Sequence, residues 1–263
     1  MSWGVNEPSG ATPAWPLEWP GPERVGAQVG ALMSTRKGGL SQGPHAGLNL
    51  GDHVGDDPAA VRANRDLLSQ QLQGARPAWL RQVHGSTVVD AADVLAEGVT
   101  PEADGSWTRE TGVACIVQVA DCLPALFTAP EGAAVGAAHA GWRGLAAGVL
   151  ERTAQAVAQA AGCAPHELSC WLGPCIGPRQ FEVGADVLEV FGGGARFVSR
   201  PRPDGQARWL ADLAGLARDR LAAVGLRDVA GGRWCTVEDP STFFSFRRDG
   251  ITGRMAAAVW RRA

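Results

Sequence analysis

Tyrosine is absent from this 263-residue sequence and lysine occurs once, as Lys37, so the basic charge is almost wholly arginine. An arginine here signifies little unless its neighbours give it a task. Neither sign of charge prevails, since 24 basic residues face 27 acidic ones for a formal net charge of -3. That balance excludes the broad electropositive footprint of a nucleic-acid binder, while local arginine clusters can still hold small anions. No apolar run reaches the ~20 residues that a membrane-spanning helix needs, so no membrane partner is expected. The opening stretch, MSWGVNEPSGATPAWPLEWPGP, has neither a basic start nor a continuous apolar core. It is not expected to be a secretory signal, and the expected location is cytoplasmic. The six cysteines include no C-x-x-C pair, and a chain of this length buries a core without covalent staples. They are expected as free thiols or metal ligands in a reducing compartment.

What is present reads as strands and helices in irregular succession. Residues 1–22 read as an irregular segment whose Trp residues anchor it to the rest, and residues 23–263 as one catalytic domain. Val25, Ala27, Val29, Ala31 and Met33 alternate with the period of a strand that ends at Ser34-Thr35-Arg36, before a Lys37-Gly38-Gly39 turn. Asp57-Pro58 starts a helix, with Val61, Leu68 and Leu72 on one face, that runs to Gly74. Three short apolar runs are expected as buried strands closing on reactive residues: Trp79 to Val83 on His84, Val113 to Val119 on Asp121-Cys122, and Ala133 to Ala138 on His139. Leu145 to Ala161 reads as one helix stopped by Gly162, Leu168 to Leu172 as a strand, and Trp209 to Ala223 as an amphipathic helix before Gly225. Met255 to Trp260 reads as a last strand or short helix. Without a strict βαβ repeat, the expected class is α+β or mixed α/β, a single-domain layered sandwich with a mixed sheet flanked by helices.

Two imidazoles and one thiol at predicted strand ends, His84, Cys122 and His139, suit a borderline-soft tetrahedral metal such as zinc and would leave a fourth position open for catalysis. Copper could substitute on affinity grounds. The three residues are far apart in sequence and no H-E-x-x-H element supports them. Two satisfied histidines and a buried cysteine are the alternative.

Longer motifs bear on that choice. In order, the chain carries Ser34-Thr35-Arg36 with Gly38-Gly39, Asn49-Leu50-Gly51 before Val54-Gly55-Asp56, Asn64-Arg65, and Gln82-Val83-His84-Gly85. Ala120-Asp121-Cys122-Leu123-Pro124, His139-Ala140-Gly141-Trp142-Arg143-Gly144, Gly173-Pro174 and Phe244-Ser245-Phe246-Arg247-Arg248 follow. This series, from about Arg24 to Trp260, resembles the YfiH-type laccase-domain family, also called multifunctional purine nucleoside phosphorylases or peptidoglycan editing factors. The resemblance implies a catalytic zinc on His84, Cys122 and His139, with phosphorolysis of adenosine or inosine and hydrolytic deamination of adenosine in one pocket. Phe246 stands where the family commonly has Tyr, which removes a hydroxyl, and Cys175 stands where a small residue is usual. Cys175 is expected to be buried and inert rather than an extra ligand.

Arg36, Asn49 and Arg143 are candidate substrate-binding residues, the arginines for phosphate and the asparagine for a ribose hydroxyl or base edge. A surface ion pair, a turn and a helix-start contact are their alternatives. Asp121 would orient a ligand histidine, carry a proton or cap a strand. His45 and His53 are expected to face solvent, and His166 to sit in a loop or helix cap. The expected partners are small molecules, nucleoside and phosphate, and the expected assembly is a monomer or small homo-oligomer. Two competing readings are a copper phenol oxidase and an amide hydrolase with Cys122 as nucleophile and a histidine as its base. The first lacks its metal set, since five histidines with no His-x-His pair cannot build a multicopper cluster.

Overall fold

The computed structural model describes residues 14–16 and 27–262. Within the segment read as irregular, Ala14–Pro16 forms a short strand, β1; Val25 and the rest of that segment lie outside the described residues. Among the described residues, fourteen strands make three sheets. The first runs β1, β2 (Val29–Ser34), β14 (Met255–Arg261), β6 (Val113–Val119), β3 (Arg76–Ala78), antiparallel except for the β6–β3 pair. The second runs β13 (Asp228–Gly231), β9 (Ser169–Leu172), β7 (Leu123–Thr128), β8 (Val135–Ala140), β5 (Gly105–Thr108), β4 (Val88–Asp90), parallel only at its two outer pairs. A small third sheet joins β10 (Glu182–Val183), β12 (Trp209–Ala211) and β11 (Phe197–Ser199). The α-helices are α1 (Pro58–Gln71), α2 (Ala91–Glu97), α3 (Trp142–Ala146), α4 (Val149–Ala161), α5 (Ala185–Val190), α6 (Leu213–Ala223) and α7 (Phe246–Asp249).

Side chains of period two divide the central strands between two cores. Val113, Cys115, Val117 and Val119 of β6, with Met255, Ala257 and Val259 of β14, face Leu126, Val135 and Ala137 of the second sheet. The alternate residues Ala114, Ile116, Ala256, Ala258 and Trp260 face outward onto Leu48, Leu50 and Leu68. On the far side of the second sheet, Ala125, Phe127 and Ala138 pack under Leu150, Ala154 and Val157 of α4 and Leu216 of α6. The result is a helix, sheet, sheet, helix sandwich, as the mixed pattern of elements predicts. Both faces of β6 and β14 are buried, which is why these strands read as unbroken apolar runs.

Several boundaries differ from the sequence reading. The strand before His84 is β3, three residues earlier than Trp79 to Val83, where only Arg81 forms an isolated bridge, to Glu102. Leu145 to Ala161 is split between α3 and α4 by Gly148, whose φ of 87° is one that few other residues adopt. Trp209 to Ala223 is strand β12 followed by α6, because the Asp212 side chain accepts from the Gly215 amide at 2.9 Å and starts the helix there. Asp57 caps α1 by accepting from the Ala59 amide, with Pro58 at the first helical position, as Asp57-Pro58 implies. No helix among the described residues is long and apolar enough to cross a membrane, and all six cysteines are free thiols.

Candidate metal centre

The chain crosses from the first sheet to the second between β6 and β7, and the crossing is Ala120-Asp121-Cys122. Cys122 is thereby fixed one residue before β7. His139 lies inside β8, opposite Pro124 of β7, so antiparallel pairing brings its ring beside the cysteine. His84 arrives from the loop between β3 and β4 with a φ of 60°. Such backbone costs about 1–3 kcal/mol in a residue with a side chain and needs an anchor.

Asp104 is that anchor, and sequence reasoning missed it. Its carboxylate is fully buried and accepts the amides of Val83, His84 and Gly85 at 3.1, 3.0 and 2.7 Å. The same carboxylate lies 2.8 Å from Nδ1 of His139. Because a carboxylate only accepts, Nδ1 of His139 carries a proton toward Asp104, which leaves Nε2 as the ring atom available to the site. Burial raises the Asp104 pKa, but the hydrogen bond and charge of His139 and the Gly85 and Val83 amides outweigh it and hold the carboxyl below its usual range.

Nε2 of His84 lies 3.6 Å from Sγ of Cys122, and the His84 and His139 rings meet edge to face with centroids 4.8 Å apart. One ligand atom from each of the three residues lies within 4.8 Å of the others, the only such group of three or more His, Cys, Asp or Glu among the described residues. Burial pushes the Cys122 thiol up, yet the His139 charge and hydrogen bonds from both histidines pull it below the ordinary thiol range. Burial likewise lowers His139, and the Cys122 charge and the Asp104 bond raise it above its ordinary value. The sulfur is thus poised as thiolate, the form that binds metal. A Cβ on Gly141 would sit 2.8 Å from Cδ2 of His84 and 2.9 Å from Sγ of Cys122, so a glycine keeps the space beside the trio open. Two imidazoles, a thiolate, an orienting carboxylate and this open cradle together fit a metal ion.

A cavity of about 270 Å³ opens beside the trio, lined by His84 and Cys122 and with Trp142, Phe181, Phe246, Arg143 and Arg247 among its walls. Arg143 is exposed and its guanidinium lies 4.4 Å from the centre of the Trp142 ring. Asp121 also lines the cavity but does not orient a histidine, the role that Asp104 performs instead. It accepts from the Thr236 hydroxyl at 2.5 Å and the Arg247 amide at 2.6 Å, while its own carbonyl takes the Ile176 amide, so it draws three cavity-lining or adjoining segments together.

The structure does not bring Arg36 or Asn49 to this cavity. Arg36 donates to the Pro240 carbonyl at 3.0 Å and lies over the Phe244 ring. Asn49 is fully buried; its amide donates to Gly51 O and Asp56, and its oxygen accepts the Gly51 and Arg254 amides. Nothing of it remains for a substrate. His45 is buried rather than solvent-facing, with Nε2 3.1 Å from Val54 O, whereas His53 is exposed beside Asp52. Cys175 is buried, bonded to its neighbour's carbonyl and outside the ligand trio, and burial holds its thiol well above the ordinary range. Phe181 and Ile176 escaped notice because they look like ordinary core residues, and Arg247 because it was read only as part of a motif.

Residues 30–262 match the family described as multi-copper polyphenol oxidoreductase laccase. A Pseudomonas aeruginosa purine nucleoside phosphorylase is 49% identical over 250 residues, 92% of this chain and 96% of that protein. The Escherichia coli purine nucleoside phosphorylase YfiH is 44% identical over 244 residues, again 92% of this chain and 96% of that one. The crystal structure of a Neisseria meningitidis protein superposes with a TM-score of 0.87 at 46% identity, covering 96% of this chain and 100% of that chain.

Proposed function

Since this chain belongs to the laccase-like family that includes the YfiH proteins, we propose that it is a zinc-dependent purine nucleoside enzyme that phosphorolyses inosine or adenosine and deaminates adenosine. The observation that carries the reading is one cavity lined by His84 and Cys122 of the donor trio, by three aromatic rings and by two guanidiniums, with His139 completing the trio beside them. Its relatives' names supply the substrate class. When bound by His84, Cys122 and His139, zinc supplies Lewis acidity and acidifies a water.

The chain's own residues do the rest. Trp142, Phe181 and Phe246 offer flat apolar faces to a purine ring. Arg143, which has no ion-pair partner among the described residues, holds phosphate so that one oxygen meets the anomeric carbon as the glycosidic C–N bond breaks. Asp121 has one partner on each oxygen and so keeps a lone pair on each, which lets it take a proton from the attacking group. A phenol at 246 is not required, because Phe246 has none. The family's copper name finds no support in the histidines: apart from the ligand pair, His45 is held on Val54 O, His53 is exposed, and His166 lies in a short 3-10 helix.

Inosine should give hypoxanthine only with phosphate present, and adenosine should give inosine without it, both followed by chromatography. Arg143→Ala should raise the KM for phosphate about tenfold, as expected for one charge-assisted contact, while Arg36→Ala leaves it unchanged. Turnover of neither nucleoside by zinc-replete protein rejects the reading. A second reading rests on the Asp104–His139 pair beside Cys122, the arrangement of an amide-cleaving cysteine hydrolase. That enzyme would survive chelation, and the zinc enzyme would not.

A further inference from the structure

Beside the metal cavity lies a larger one, of about 420 Å³, which shares only Arg247 with it. The three-stranded sheet supplies much of its wall through Glu182 of β10, Leu210 of β12 and the hairpin beyond β11. That hairpin is fixed by backbone hydrogen bonds from Arg200 N to Arg208 O at 2.8 Å and from Arg202 N to Gln206 O at 3.0 Å. Arg200 and Arg202 are two residues apart on an extended chain, which puts both on one face, and both line the cavity. Arg179 and Arg247 close the other sides. Arg247 lines this cavity and the metal cavity alike, so the two adjoin at its side chain.

The charge here is not balanced. Glu182 is shared between Arg202 at 2.5 Å and Arg208 at 3.8 Å, and Glu238 serves Arg179. Arg247 reaches only a carbonyl, that of Glu182, and Arg200 has no ion-pair partner among the described residues. Four guanidiniums, those of Arg179, Arg200, Arg202 and Arg247, therefore line the cavity with one carboxylate, that of Glu182, a local positive surplus in a chain whose net charge is -3. Guanidiniums spaced around a polar cavity, with spare donors on each, match a row of phosphoryl oxygens better than a single small anion.

We infer that this arginine-walled cavity binds a polyphosphate chain of two or three phosphoryl groups, either free or carried on a nucleoside. The site stands apart from the nucleoside reaction, because a free chain engages it without any base or ribose. Isothermal titration with inorganic tripolyphosphate, which has no nucleoside part, scores the inference whether or not nucleosides are turned over. Binding is expected at low salt, weaker at high salt. Arg200→Ala with Arg202→Ala should lower the affinity about tenfold, and inorganic monophosphate should bind more weakly than the chain. Cys122→Ser, which removes a metal donor, should bind tripolyphosphate as the parent does. ATP binding more tightly than tripolyphosphate identifies a nucleotide as the source of the chain; equal affinity identifies the free chain. The inference is overturned by no binding at low salt, by undiminished binding to the double variant, by monophosphate binding as tightly as tripolyphosphate, or by loss of binding in Cys122→Ser.

Discussion

Asp104 shows how much one buried side chain can organise. Three amides and one imidazole converge on its two oxygens, so the carboxylate holds the unfavourable backbone of His84 and sets the tautomer of His139 together. Replacing it by asparagine turns one acceptor into a donor that faces other donors. Asp104→Asn should therefore weaken zinc about 10–100-fold, as loss of an orienting partner commonly does. Competition against a chromophoric chelator measures this, and unchanged affinity would remove Asp104 from the site. The sequence offered no cue, because Asp104 lies in Pro101-Glu102-Ala103-Asp104-Gly105, which reads as a polar turn. Only the pairing of Gly105 with Ala138 sets it beside His139. Cys122 and His139 were legible from the apolar runs before them, although His139 lies inside β8 and Cys122 in the crossing ahead of β7 rather than at strand ends.

Among the elements, the junction of β8 and α3 decides whether the cradle stays open. Gly141 is the N-cap of α3, with a φ of -66° that alanine can adopt and no side-chain cap to lose. Its importance is space, as a Cβ there would press on both His84 and Cys122. Gly141→Ala should leave the circular dichroism spectrum unchanged and lower bound zinc, read by metal analysis of the purified variant. Full zinc content would show that the trio can shift to admit a methyl group. The same scale explains why the helix expected over Leu145 to Ala161 is two. A period of 3.6 in an Ala-rich stretch cannot reveal a left-handed glycine that redirects the chain.

For the whole molecule, motifs that looked ready to bind substrate turn out to join distant segments. Asp56 accepts from Ser41 at 2.5 Å and Asn49 at 2.8 Å, Asn64 donates to Ser41 and to Asn49 O, and Asn49 accepts the Arg254 amide near the last strand. Burial raises the Asp56 pKa, but the bonds from Ser41, Asn49 and the Asp57 amide, with the charge of His45, hold it below its usual range. A depressed folded pKa gives stability that is full above the unfolded value of about 4 and lost as pH falls through the lower, folded one. Asp56→Ala should thus be less stable than the parent at pH 7 by about 1–3 kcal/mol. The gap should narrow below about pH 4 in urea titrations, and a gap independent of pH would contradict the assignment. The sequence by itself determined the strand and helix material and the metal-binding residue types, because apolar period and ligand chemistry are local properties. The tertiary structure alone decided that Asp104 orients the site, that Asn49 is structural, and that Arg143 and Arg247 edge the metal cavity while Arg36 does not. Those depend on sheet register and on which loops meet across two packed sheets, and no single stretch of chain encodes them.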